Sequence, residues 1–203
     1  MRDAGVDDRH NEYRNSDIKT FAKAAHQIAE RGGWVARIGA PGVEMMPAWP
    51  NSIDLPSVHP STDWLDVFVM GGCRFFLGDS SGPICVAGTF GRDVIGVNLE
   101  LGCPSTWMAL HSPKLYRRGG KLMTLSESIK AGLLVRHRPI PAGIEVVDNT
   151  AEDIEAAAVE YMDGMLVSYD FQERYRGVFP SEMIRLIGTA STAFLEKHTE
   201  VLR

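Results

Sequence analysis

The residues whose types could most readily do chemistry are the two serines of segment 78–88, which reads GDSSGPICVAG. A serine acts as a nucleophile when a histidine base, an orienting aspartate and backbone donors for the oxyanion accompany it. A serine-containing turn can instead present backbone N–H groups to a phosphate. The residues around Ser80 and Ser81 decide between these two kinds of chemistry.

The chain does not place the partners of a serine hydrolase where they are needed. His26 lies in a stretch whose apolar residues repeat at helical spacing, so an all-β protease of the chymotrypsin type could not position its base there. A hydrolase of the Gly-Asp-Ser type closes its chain with D-x-x-H, whereas Asp7 and His10 form that motif near the start of this sequence. We therefore expect neither serine to be a nucleophile.

The serines are predicted to occupy a turn between a strand and a helix. Residues 73–77 form a short apolar run typical of a buried strand, and Pro83 stands where proline is favoured at the start of a helix. The free N–H groups and the dipole of such a helix favour a phosphate, with about 0.3–1 kcal/mol from the dipole. In the alternative interpretation, Ser80 and Ser81 only cap the helix.

Composition restricts the possible partners. The 203 residues carry a net charge of -5 without a cluster of lysine and arginine, which argues against binding to nucleic acid or to an anionic membrane surface. No apolar run approaches the roughly 18 residues of a membrane span, and no signal peptide opens the chain. Cys73, Cys85 and Cys103 are predicted to be reduced, and the two that lie in apolar elements are predicted to be core thiols, so we expect a cytoplasmic protein.

Helical and strand patterns alternate along the chain. Helices are predicted at about 17–31, 82–88 and 181–198. Two more helices are predicted to begin at Ser61 or Thr62 and at a capping box formed by Thr150 and Asp153. Strands are predicted at 34–38, 52–55, 73–77 and 94–97. Residues 98–112 are predicted to be a loop, and 122–133 a strand edge that leads into a short helix. This alternation predicts an α/β fold with a Rossmann-like parallel sheet and helices on both faces.

Several segments, taken in order, resemble one family. They are YRNSDI at 13–18, RIG at 37–39, STDWLDVF at 61–68, FFLGDSSG at 75–82 and AFLEK at 193–197. Their order and spacing resemble the carboxyl-terminal half of a family of bacterial glycosyltransferases with the two-domain GT-B fold. The strand-Gly-Asp-Ser-Ser-Gly-helix turn also distantly resembles the nucleotide-sugar turn of heptosyltransferases. The resemblance covers nearly the whole chain.

The resemblance implies that residues 1–149 form a domain that binds a nucleotide-sugar donor. Residues 150–203 would form a C-terminal helical segment that packs on this domain or on a missing or separate N-terminal acceptor domain. It further implies sugar transfer in surface polysaccharide or glycan synthesis without a cofactor, and a general base supplied by the other domain, so no catalytic residue is assigned. The alternative is a non-catalytic module that binds a nucleotide or sugar phosphate and acts through a partner.

Parallel sheets bind ligands beyond the carboxyl ends of their strands, which gives a set of candidate binding residues. Arg14 could clamp a diphosphate, and Arg37, at the end of an apolar strand, could bind the donor or pair with Asp54. Asp63 and Asp66 are one helical turn apart, and Asp63 is expected to favour the helix dipole in a first turn instead of forming a catalytic pair; no histidine has a companion at metal-ligand spacing. The candidate substrate-binding residues are Arg14, Arg37, Gly39, Asp79, Ser80, Ser81, Gly82 and Glu100; no metal site is expected.

The last predicted helix carries an apolar stripe formed by Met183, Ile187, Ala190 and Phe194. The stripe is predicted to lack full cover and to mediate self-association. The alternative is that this helix packs entirely on its own sheet.

Overall fold

The computed structural model describes residues 15–40, 43–58, 63–134 and 139–203. The helices are α1 (Ala22–Glu30), α2 (Leu55–Val58), α3 (Asp63–Gly72), α4 (Gly82–Thr89), α5 (Leu125–Lys130), α6 (Ala151–Met162), α7 (Tyr169–Gly177), α8 (Ser181–Ile184) and α9 (Thr192–Lys197). The strands are β1 (Val35–Arg37), β2 (Ser52–Asp54), β3 (Phe75–Gly78), β4 (Asp93–Leu99), β5 (Leu110–Pro113), β6 (Leu115–Arg118), β7 (Lys121–Leu122) and β8 (Ile144–Val147).

The central sheet consists of three parallel strands in the order β3-β4-β5. Ile95 and Val97 of β4 pack with α1 and α6 on one face, and Val94 packs with α3 and α4 on the other. Strand β4 is apolar on both sides because both faces of the sheet are covered. The predicted α/β fold with parallel strands and flanking helices is confirmed.

Two further sheets accompany the central one. Strands β1 and β2 form a separate parallel pair, and β6 pairs antiparallel with both β7 and β8. The turn between β6 and β7 contains Gly119 and Gly120, both at positive φ, which suits a tight hairpin. This antiparallel sheet was not predicted from the sequence, although the glycine pair is a hairpin signal.

The prediction of a loop over residues 98–112 is wrong at both ends. Strand β4 continues to Leu99, and β5 begins at Leu110. Asn98 adopts a φ of 53°, and the register with β5 shifts between Gly96 and Leu99. The side-chain alternation therefore breaks, and Leu99 packs on the α4 face instead of the α6 face.

The predicted single helix at 181–198 is also wrong, because α8 and α9 are separate. A Cβ atom at Gly188 would lie 2.2 Å from the Ser105 carbonyl oxygen, so the chain passes too close for a larger residue. Ala190 then forms a parallel bridge with His111 on β5. Helix α9 starts only after this bridge, where the Glu160 carboxylate accepts hydrogen bonds from the Thr192 and Ala193 amides.

The apolar stripe belongs to a core and not to an exposed surface. Ile187, Ala190 and Phe194 are at most 1% exposed, and Met183 packs against the same cluster. This second core lies between the antiparallel sheet and helices α5, α7 and α9. The prediction of self-association through the stripe is therefore wrong, and the alternative of a helix packed within its own fold describes the molecule.

The predicted capping box at the start of α6 is confirmed. The Thr150 hydroxyl accepts from the Asp153 amide, and the Asp153 carboxylate accepts from the Thr150 amide. Burial alone would raise the pKa of Asp153, but hydrogen bonds from His198, Lys197 and Thr150 lower it well below its usual value. The carboxylate thus ties the end of the chain to a helix that packs on the central sheet.

The three cysteines are free thiols, as expected for a reduced protein, but Cys85 is exposed and the other two are only half-buried. The prediction of core cysteines is thus wrong for Cys85. Within the described parts of the chain, no helix combines the length and the apolar composition that crossing a bilayer requires.

Candidate functional site

The turn that carries Ser80 and Ser81 joins a strand to a helix, as predicted. Strand β3 ends at Gly78, and α4 begins at Gly82 with Pro83 in its first turn. Gly78 pairs with Gly96 of β4, so the turn lies beside the last residues of β4 at the carboxyl edge of the central sheet.

Two backbone donors of the first turn of α4 have no partner within the helix. Helical geometry leaves the first N–H groups unused, and Pro83 has none, so the donors come from Gly82 and Ile84. The Ser81 amide donates to the Asp79 carbonyl at 2.8 Å, so it already has a partner inside the turn. The turn therefore offers an anion fewer backbone N–H groups than it has residues.

The two serines have different environments. Ser80 is 3% exposed and belongs to the interior, whereas Ser81 is exposed at the N-cap position. The Ser81 side chain makes no capping hydrogen bond, so the interpretation that it caps the helix is wrong for its hydroxyl. A Cβ atom at Gly82 would meet nothing within 4 Å, so the space beside this first residue of the helix is open.

A buried polar cluster stands next to this turn on the same edge. Asn98 and Asn149 exchange hydrogen bonds, each side-chain oxygen accepting from the other residue's amide. The side-chain nitrogen of Asn149 donates to the Pro113 carbonyl at 2.9 Å, and that of Asn98 donates to the Ser16 hydroxyl at 2.9 Å. These bonds hold Asn98 in a left-handed conformation that costs energy and that occurs often at functional sites.

A lysine was missed as a candidate. Lys114 follows β5 directly, its side chain is fully buried, and its ammonium group pairs with the Asp148 carboxylate, whose side chain is 42% exposed. A lysine between Pro113 and Leu115 in the segment LHSPKLY, 110–116, was the available signal, because a buried cation requires a partner. Lys114 thus brings a positive charge to the edge that Ser80 and Asn98 occupy.

Glu100 lies on this edge immediately after β4 and is 5% exposed. Its carbonyl oxygen accepts a hydrogen bond from the Cys103 amide at 2.8 Å, which fixes the turn that follows the strand. The expected contact of the Glu100 carboxylate with ribose hydroxyls stays a prediction.

Arg37 forms the ion pair with Asp54 that was the alternative to ligand binding. Its guanidinium donates to an Asp54 carboxylate oxygen at 3.2 Å and to the Glu44 carbonyl at 2.6 Å, and both side chains of the pair are largely buried. Burial alone would raise the pKa of Asp54. Hydrogen bonds from Ser57 and the Met46 amide, together with the Arg37 charge, instead hold it below its usual value.

Replacing Arg37 with methionine is expected to lower the free energy of unfolding by about 3 kcal/mol, because Asp54 would stay largely buried without a cation. Denaturant unfolding measures the change. Adding Asp54→Asn to Arg37→Met should recover part of the loss, since the uncompensated charge disappears. An unchanged stability in Arg37→Met would contradict a structural ion pair and would leave ligand binding as the role of Arg37.

Gly39 and the acidic pair of α3 lie near each other. The Asp66 carboxylate accepts a hydrogen bond from the Gly39 amide. Burial raises the pKa of Asp66, the neighbouring Asp63 charge adds to this effect, and the bond from Gly39 opposes it. A Cβ atom at Gly39 would make ordinary contacts with Pro56 and Val43, so the protein itself does not require glycine there.

Arg14 lies outside the described residues. Within the described ranges, no group of three or more His, Cys, Asp or Glu side chains is arranged to hold a metal ion. The structure places Asp79, Ser80, Ser81, Gly82 and Glu100 on one edge of the central sheet, whereas Arg37 ends strand β1 of the separate β1-β2 pair and Gly39 follows it.

The edge of the central sheet thus combines an open helix N-terminus with a buried polar cluster and a lysine–aspartate pair. No protein-family model, curated protein or solved structure matches the chain.

Proposed function

We propose that the chain binds a nucleotide-sugar at the carboxyl edge of the β3-β4-β5 sheet and acts as the donor-binding half of a GT-B glycosyltransferase in surface polysaccharide or glycan synthesis. The observation that carries the proposal is that the N-terminus of α4 and the polar cluster around Asn98 lie on the same edge. Ligands of parallel sheets bind at this edge, and a helix N-terminus there favours a phosphate.

The proposed reaction is a direct displacement. An acceptor oxygen bonds to the anomeric carbon, the bond from this carbon to the diphosphate breaks, and the acceptor proton passes to a base of the acceptor domain. The N–H groups of Gly82 and Ile84 would stabilise the charge that develops on the departing diphosphate. The acceptor domain, separate from the described residues, is part of the proposal.

A second candidate is a module that binds a nucleotide or sugar phosphate without chemistry of its own. This candidate is favoured because the polar residues of the edge contact one another: Asn98 and Asn149 exchange hydrogen bonds, and Lys114 forms an ion pair with Asp148. These contacts fix backbone and charge positions, as a binding site requires, and do not pair a base with a nucleophile.

A panel of nucleoside diphosphates and nucleotide-sugars in a thermal-shift assay tests the binding. A ligand at one hundred times its Kd should stabilise the chain by about 2.7 kcal/mol. Release of nucleoside diphosphate when glycan acceptors and an acceptor domain are added together would support the transferase, and binding without release under these conditions would support the module. No stabilisation by any member of the panel would overturn both.

Replacing Gly82 with valine is expected to weaken nucleoside diphosphate binding roughly tenfold or more, because the branched side chain would fill the open space beside the first N–H group of α4. The melting temperature should change little, since the added atoms meet no protein atom near the Cβ position. Ser81→Ala is the control and should weaken nucleoside diphosphate binding only modestly. In a separate experiment, a serine-directed fluorophosphonate should not label the chain. Unchanged binding in Gly82→Val, or labelling of Ser80 or Ser81, would contradict phosphate binding by this turn.

A further inference from the structure

An apolar surface is exposed on the α3–α4 side of the central sheet. The rings of Trp64, Phe68 and Phe90 are 68%, 70% and 52% exposed. Together with Val67 and the glycines at 71 and 72 they line a groove of about 480 Å³, called the α3 groove below. Side chains of this size are normally covered, and a contiguous exposed patch commonly marks an interface.

The α3 groove has two aromatic rings along α3 and an open position at the last residue of this helix. Trp64, Phe68 and Gly72 follow one another at four-residue spacing on one face of α3. A Cβ atom at Gly72 would meet nothing within 4 Å, whereas one at Gly71 would touch the Phe90 ring at 3.4 Å. The Trp64 and Phe68 rings therefore project from the first two turns of α3, whereas the Phe90 ring stands beside Gly71 near its end and leaves an open floor at Gly72. Two such surfaces are complementary when one is turned end to end against the other.

The charges at the two ends of the α3 groove are opposite. Asp63 is an exposed carboxylate in the first turn of α3. Arg92 is exposed at the other end, where its Nε donates to the Gly71 carbonyl at 2.7 Å. In an end-to-end arrangement of two copies, each Asp63 faces the Arg92 of the other copy. Shape and charge thus favour the same orientation.

We propose that the α3 groove is the contact between two copies of this chain related by a two-fold axis, with their α3 helices antiparallel. The three rings expose on the order of 400 Å². Two copies would therefore bury roughly 800 Å² of aromatic surface, which lies in the range of weak and transient complexes. The dimer forms and dissociates readily and becomes prevalent only at high protein concentration.

Sedimentation velocity over increasing concentration tests the dimer. The unmodified chain should shift from monomer to dimer, and Gly72→Glu should stay monomeric with an unchanged melting temperature, because the new side chain occupies the open floor of the groove. Gly177→Glu is the matched control, since Gly177 is equally open but lies on α7, and it should associate like the unmodified chain. A monomer at every concentration, or a dimer insensitive to Gly72→Glu, would overturn the proposal.

Charge reversal tests the antiparallel orientation. Asp63→Arg and Arg92→Glu should each weaken self-association about tenfold, because each places like charges opposite one another. A mixture of the two variants should form a heterodimer, in which both facing pairs again have opposite charges. Association of the single variants that equals that of the unmodified chain, or a mixture that stays monomeric, would show that α3 is not paired in this way.

Discussion

Replacing Phe194 with aspartate is expected to destabilise the fold by at least about 4 kcal/mol, a large part of the stability of a typical domain. Phe194 is 1% exposed and lies in the core between the antiparallel sheet and α9. The substitution removes a buried ring and also places a carboxylate where water does not reach it. Denaturant unfolding, or loss of the folded state in circular dichroism, measures the effect.

Phe68→Asp provides the matched control, because the same substitution is made on a ring that is 70% exposed. Its stability, measured at low protein concentration, should change by less than about 1 kcal/mol. If Phe194→Asp instead kept the melting temperature and made the chain more monomeric, the stripe of residues 183–194 would be an interface after all.

Acidification is expected to destabilise the protein through His111. Burial lowers the pKa of His111 to about 4 from its ordinary 6.5. Below pH 6.5 the unfolded chain binds a proton that the folded chain does not, so this stability is fully present above pH 6.5 and is lost as the pH falls toward 4. The loss amounts to about 2 kcal/mol at about pH 5 and about 3 kcal/mol at about pH 4.

Equilibrium unfolding between about pH 7.5 and about pH 5 isolates this effect, because carboxylates titrate mainly below that range. His111→Gln should show a flatter dependence of unfolding free energy on pH, whatever its stability at neutral pH. His26→Gln, a change at an exposed site on α1, is the control. If the unfolding free energy depended equally on pH in the unmodified chain and in His111→Gln, His111 would not be the source of the destabilisation.

The sequence allowed the α/β layers to be predicted because their signals are local. The apolar run before Gly78, the proline of the following turn and the Thr150–Asp153 capping box each determine a short segment by themselves. The end of the chain could not be predicted in this way. The helical spacing of Ile187 and Phe194 is present, but the close approach to Ser105 interrupts the helix, and that contact joins residues far apart in sequence.

The candidate site was predictable only in part, because contacts between segments far apart in sequence also form it. The Ser80 turn lies between two local patterns, so its position followed from them. The polar cluster depends on Asn98, Lys114 and Asn149, which three different segments bring together. The pairing of Arg37 with Asp54 could be named as an alternative, but only the parallel register of β1 and β2 places the two side chains opposite each other.

The bridge between His111 and Ala190 also concerns synthesis on the ribosome. Strand β5 has β4 on one side and residues 189–191 on the other, and the Ser191 amide donates to the His111 carbonyl at 2.7 Å. During translation this side of β5 stays open until almost all of the 203 residues have been made. An open strand edge is a template for pairing with another chain, so the nascent polypeptide passes through a stage in which β5 is exposed to pairing with the wrong partner.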